Sequence, residues 1–191
     1  RHLSHLYCAW PMFETQDDEA LKKACDQAIL NRASENQASH ALVHRALIGA
    51  RLKDARAVEE SLVNLMNHGI YYDSMMTNHD YDRNSCYCTD FAIGYLGIIN
   101  ESLVYSYNEK IELLPALPES FESGEICGIR TRNRCVVNSL KWSTEGVQVT
   151  ITSETAQTLK ITCAKTNETQ KITFKANETK QILTPTYQTS E

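Results

Sequence analysis

Apolar residues recur at helical spacing through the first half of the chain and at every second position through most of the rest. Ala20, Leu21, Ala24, Cys25, Ala28 and Ile29 follow Asp17-Asp18-Glu19, whose negative charges suit the amino end of a helix. A second helix is expected over 37–52, carrying Ala41, Leu42, Leu47 and Ile48. Asp54 is a plausible cap for a third, which places Val58, Leu62, Leu65 and Met66 on one face. Residues 91–104 are apolar nearly all round (Ile93, Leu96, Ile98, Ile99, Leu103), so this fourth helix is expected to be buried on most sides. Between the third and fourth lies a long polar, aromatic-rich loop, 71–88, of a length that loops without their own structure seldom reach unless they are functional or disordered. After Pro118 the period changes to two. Val147, Val149 and Ile151 alternate with Gln148, Thr150 and Thr152, and Leu159, Ile161 and Cys163 repeat the pattern. Turns are expected at 143–146, 166–169 and 176–179. The fold class is therefore α+β, with a helical part over 1–107 and a β-domain of about six strands over 108–191.

At 191 residues with 42% hydrophobic side chains, the chain can bury an ordinary core. A net charge of −5 and the lack of any basic cluster argue against a nucleic-acid partner. No apolar run approaches the roughly 20 residues that span a bilayer, so no membrane partner is expected. The seven cysteines are scattered, most of them where a small hydrophobe would serve. Buried free thiols are the favoured reading and one disulfide pair the alternative. Cys86-Tyr87-Cys88 has no second pair at zinc-site spacing, and His2 and His5 have no third ligand, so neither a metal nor any other cofactor is expected.

Two segments carry a specific likeness. The opening Arg1-His2-Leu3-Ser4-His5-Leu6-Tyr7 and the later Leu113-Leu114-Pro115-Ala116-Leu117-Pro118 resemble the C-terminal part of glycoside hydrolase family 95, the α-L-fucosidase and α-L-galactosidase group. Ala50-Arg51-Leu52-Lys53-Asp54, Glu101-Ser102-Leu103-Val104-Tyr105-Ser106, Gly124-Glu125-Ile126-Cys127-Gly128-Ile129-Arg130 and Trp142 fit in the same order. The likeness runs over about 1–152. It implies the C-terminal helices of an (α/α) barrel followed by a small antiparallel β-sandwich.

The same resemblance implies an exo-acting glycosidase that inverts the anomeric carbon, with a glutamic acid as general acid. An asparagine positions the attacking water and is polarised by an aspartate. Inversion needs acid and base on opposite sides of the sugar ring, about 6.5–9.5 Å apart, to leave room for that water. Asp90 falls on the family's aspartate, and Arg1 and His2 fall on positions that line the sugar pocket. Guanidinium and imidazole groups suit directional hydrogen bonds to sugar hydroxyls. On the residues alone, Asp90 also reads as a helix cap, His5 as a structural histidine, and Tyr7 and Trp10 as core aromatics.

Where the family has Asp-Gly-Asn-Phe-Gly, this chain has Asp90-Phe91-Ala92-Ile93-Gly94. The general acid and the water-positioning asparagine have no match among these residues and are expected upstream. The chain alone is thus expected to be inactive and to need the upstream remainder of the barrel as partner. A carbohydrate substrate and an extracellular or periplasmic location are implied. A non-catalytic sugar-binding relative and an assembly module are the other readings.

Overall fold

The computed structural model describes residues 3–32, 38–67, 70–72, 76–80 and 83–185. The chain divides into two compact units, Arg1–Ser102 and Leu103–Glu191. The first contains α1 (Glu19–Asn31), α2 (Ser39–Leu52), α3 (Ala55–Asn67), the short strands β1 (Asn78–Asp80) and β2 (Arg83–Tyr87), and nearly all of α4 (Thr89–Leu103). The second contains β3 to β10, so the architecture is mixed α+β.

The helix boundaries follow local chemistry. The Leu21 amide donates to the Asp18 carboxylate at 2.9 Å, and the Ala57 amide donates to that of Asp54 at 3.0 Å. Each cap satisfies an amide that the first helical turn leaves open, worth about 1 kcal/mol. Between α2 and α3 the chain reverses within two residues, with Lys53 left-handed at φ 65° and the Asp54 amide donating to the Gly49 carbonyl at 2.8 Å. A tight reversal makes these helices antiparallel neighbours. On α3, Val58, Leu62 and Leu65 are buried as the spacing predicts, but Met66 is 54% exposed.

Three contacts in step relate α2 to α4. A Cβ on Gly94 would stand 2.5 Å from Val43 Cγ1, and one on Gly97 would stand 3.7 Å from Leu47 Cδ2. One turn further along both helices, Arg51 Nε donates to Glu101 Oε2 at 2.8 Å. Rising numbers pair with rising numbers, so α2 and α4 run parallel, with α3 reversed between them in sequence. The small Gly94 lets Val43 seat against the α4 backbone.

The Arg51–Glu101 pair sits deep in this unit, with side chains only 1% and 8% exposed. Arg51 also donates to the Met12 carbonyl at 3.0 Å, and its guanidinium stacks 4.6 Å from the Trp10 ring centroid and 4.3 Å from that of Phe13. A buried ion pair is tolerable only when further hydrogen bonds and stacking replace water, and these contacts supply them. The N-terminal segment is thereby locked to α2 and α4. Trp10 is half-buried here, whereas Tyr7 and His5 face solvent, so neither of those two is a core residue.

Two expectations for this unit change. The segment 71–88 is not a plain loop, because β1 and β2 pair antiparallel within it. And α4 is not buried on most sides. Ile98 and Leu103 are buried, but Ile93 is 74% and Leu96 66% exposed. An all-round apolar helix signals burial only when neighbours surround it, and none of the described residues covers that face.

The second unit holds two four-stranded sheets, ordered β10-β7-β6-β5 and β3-β4-β8-β9. Their strands are β3 (Val104–Tyr107), β4 (Lys110–Leu113), β5 (Gly124–Arg130), β6 (Cys135–Trp142), β7 (Gly146–Ser153), β8 (Gln157–Cys163), β9 (Glu168–Phe174) and β10 (Glu178–Pro185). Every second residue of β7 (Val147, Val149, Ile151, Ser153) is buried, matching the period of two. The expected turns close with Asn167 and Asn177 at φ 56° and 60°, the left-handed region that Asn tolerates best after Gly. The β5–β6 turn ties the two sheets together. The Arg132 amide donates to Ser106 Oγ at 2.8 Å, and Gln157 Nε2 donates to the Asn133 carbonyl at 2.8 Å.

The β-domain was expected to be wholly antiparallel, yet β4 pairs parallel with β8. Parallel neighbours need a long crossover, and the chain between them is long enough to build β5, β6 and β7 of the other sheet. β4 falls inside the expected β-domain, whereas β3 takes the end of the stretch that read as helical.

Candidate functional site

Asp90 lies in the first turn of α4, solvent-exposed, where the open amides of a helix start favour a carboxylate. The backbone ahead of it is pinned. The Cys88 amide donates to the Thr77 carbonyl at 3.0 Å, and the Thr77 hydroxyl donates back to the Cys88 carbonyl. The Asn78 amide in turn donates to the Ile70 carbonyl at 2.8 Å. Thr77 and Cys88 are both buried, so the base of the β1–β2 hairpin fixes where α4 begins.

His40 lies in the first turn of α2, and because α2 and α4 are parallel, His40 and Asp90 belong to the same end of the helix pair. His79 on β1 joins them there. Its Nε2 is 3.1 Å from His40 Nδ1, and the two rings are 5.0 Å apart. In a hydrogen bond between two imidazoles one ring nitrogen donates and the other accepts. The His79 amide donates to the Asn78 side-chain oxygen at 3.1 Å, which holds the strand backbone in place. This end of the unit therefore carries the Asp90 carboxylate and, on α2 and β1, the two imidazoles, groups that bind and polarise hydroxyls and water.

The residue after Asp90 explains how the departure from the family motif is accommodated. Phe91 is fully buried, its ring 4.7 Å from that of Tyr71 and 5.9 Å from that of Tyr95. Aromatic pairs at these separations contribute about 0.5–1.5 kcal/mol each beyond burial. Burial pushes the phenols of Tyr71 and Tyr95 up from their ordinary value. Phe91 thus points inward to the packing while Asp90 points outward.

Of the site residues expected from the sequence, only Asp90 falls among the described residues; Arg1 and His2 lie outside them. The His40–His79 pair was not anticipated, because residues 39 apart in sequence give no local signal. The Arg51–Glu101 pair was missed too. Its partners are 50 residues apart in sequence and meet only through the packing of α2 against α4. Among the described residues no cluster of three or more His, Cys, Asp or Glu could hold a metal ion.

Comparison with known proteins identifies the family. Residues 1–103 match the glycosyl hydrolase family 95 catalytic domain, and residues 105–190 match the glycoside hydrolase family 95, C-terminal domain. Alpha-L-fucosidase 2 of Arabidopsis thaliana is 30% identical over 155 residues, which cover 74% of this chain and 18% of the plant protein. The chain spans less than a fifth of that relative's length. Its two units fall in order on adjacent parts of one enzyme family, and the chain belongs to glycoside hydrolase family 95.

Proposed function

We propose that this chain is the C-terminal part of an inverting, exo-acting glycoside hydrolase of the α-L-fucosidase type. In it Asp90 polarises the side chain that positions the attacking water. The observation that carries this reading is the exposed Asp90 at the common end of two parallel helices, with the His40–His79 pair at that same end. An outward carboxylate on a rigid helix start can hold a neighbouring amide by accepting its N–H, leaving the amide oxygen to orient water. Arg1 and His2 supply hydrogen bonds to the sugar. The general acid and the water-positioning amide come from the upstream remainder of an (α/α) barrel, so the chain alone is inactive. The exposed Ile93 and Leu96 support that partner, since they offer an apolar face to a further helix. The eight strands of the second unit then form the β-sandwich that follows the barrel. No metal or other cofactor takes part, and a carbohydrate-cleaving role fits an extracellular or periplasmic site of action.

A second reading, a sugar-binding relative without turnover, is favoured by one observation. The family's asparagine position holds Ala92, and Phe91 is committed to the interior. One experiment separates the two readings. The longer protein is given an α-linked fucoside and the released sugar is followed by proton NMR from the first minute. The enzyme reading requires the β-anomer to form first and the α-anomer to grow in only by mutarotation. Saturable binding without any released sugar would select the binding reading, and initial release of the α-anomer would exclude inversion.

A further inference from the structure

Away from the proposed sugar site, two cysteines are packed against each other. Cys8 follows the 3-10 turn Ser4–Leu6, Cys25 lies in the middle of α1, and their sulfurs are 3.6 Å apart across 17 residues of sequence. A disulfide needs about 2.05 Å between sulfurs, so a shift of about 1.5 Å would bring them to bonding distance. The two thiols differ in access. Cys25 is only 3% exposed, within a cluster of Leu3, Leu6, Ala9, Ile48 and Leu52, while Cys8 is half-buried at the edge of that cluster. Cys8 and Cys25 are thus two free thiols held in direct contact between the N-terminal segment and α1.

We propose that Cys8 and Cys25 are an oxidation site, closing to an intramolecular disulfide that staples the N-terminal segment to α1. The co-reactant is a small-molecule disulfide such as oxidised glutathione. The Cys8 thiolate attacks one of its sulfurs, the S–S bond breaks, and one glutathione leaves and takes up a proton. The Cys25 sulfur then attacks Cys8 in the mixed disulfide, giving up its own proton as the second glutathione leaves. Two thiol hydrogens are lost from the protein and two reduced glutathiones are formed. Burial pushes the Cys25 thiol up to about 12, and its contact with Cys8 adds to the shift. Cys25 is therefore a poor first nucleophile, and entry is through Cys8. Once closed, the bond constrains the segment that leads from Arg1 and His2 into the core, and it limits the unfolded chain.

The test uses the intact protein from its source, fully reduced, then held with oxidised glutathione under native conditions, alkylated with iodoacetamide and digested with trypsin. Cleavage at arginine and lysine leaves Cys8 within His2–Lys22 and Cys25 within Ala24–Arg32, with no other cysteine in either peptide. The expected product is these two peptides joined and two hydrogens lighter than their sum, together with a melting midpoint raised by about 3 °C or more. The Cys25→Ser variant should show no such rise. The exposed Cys86 and Cys127 report that the oxidant reached the protein. Recovery of both Cys8 and Cys25 alkylated, while Cys86 and Cys127 carry glutathione, would overturn the proposal. So would a stable glutathione adduct on Cys8 beside an alkylated Cys25.

Discussion

The two units of this chain close their cores in different ways. Among the described residues, ten of the eleven exposed large hydrophobic side chains belong to the helical unit, and only Leu183 belongs to the β unit. The β unit buries its apolar positions largely by alternation, strictly so in β7, and hydrogen bonds from Arg132 and Gln157 knit its two sheets. The helical unit instead buries an ion pair and leaves Ile93 and Leu96 open on α4. A sheet pair satisfies itself. The helices keep an apolar face open, as the proposed (α/α) barrel would require, and a buried polar link holds α2 to α4.

Breaking the polar link should have the largest effect. Replacing Glu101 by Ala leaves the Arg51 guanidinium buried without the carboxylate it bonds at 2.8 Å. The expected cost is about 3–5 kcal/mol. In urea unfolding followed by circular dichroism, the helical signal at 222 nm should melt earlier while the strand-dominated transition stays in place. A single shifted transition for both units would show that they are not independent in stability.

A smaller effect should come from the α2–α4 seam. Gly94→Ala places a methyl group 2.5 Å from Val43 Cγ1, an overpacking worth about 1–3 kcal/mol. The second substitution Val43→Ala should recover most of that loss, because it removes the atom in the way. Additive losses in the double variant would contradict the parallel packing that brings Asp90 and His40 to one end.

Alkaline pH sharpens the same contrast. Burial raises the Cys25 thiol from 9.0 to about 12 and also raises the phenols of Tyr71 and Tyr95, all in the helical unit. A raised pKa in the folded state means that the unfolded chain loses its proton first. The associated stability is intact below about pH 9 and is lost as pH climbs towards 12. In the β unit the Cys135 thiol shifts the same way, also through burial. Thermal melts between pH 8 and 11 should show the helical unit losing stability first, and Cys25→Ala should flatten part of that slope. A slope unchanged in the variant would remove Cys25 from the account.

Much of this was legible in the sequence where the signal is local. Asp18 and Asp54 announce the starts of α1 and α3 because capping is decided within one turn. Asn167 and Asn177 announce turns because few side chains accept a left-handed backbone. What failed was non-local. The all-round apolar pattern of α4 predicted burial, but burial depends on neighbours that no periodicity within the helix reveals. The parallel pairing of β4 with β8 depends on a crossover through the other sheet, which strand patterns do not encode. At the candidate site, Asp90 is an expectation from the resemblance alone, whereas His40 and His79 meet only through tertiary packing.

The most direct test of the central claim is Asp90→Asn in the longer protein, measuring fucoside hydrolysis and sugar binding side by side. Asp90 is exposed, so the substitution should change stability by no more than about 1 kcal/mol. The account predicts that kcat falls at least about a hundredfold while the affinity for a non-hydrolysed sugar stays within a few-fold. Turnover retained at the wild-type rate would contradict it, and would leave Asp90 as a helix-terminal carboxylate with no part in the chemistry.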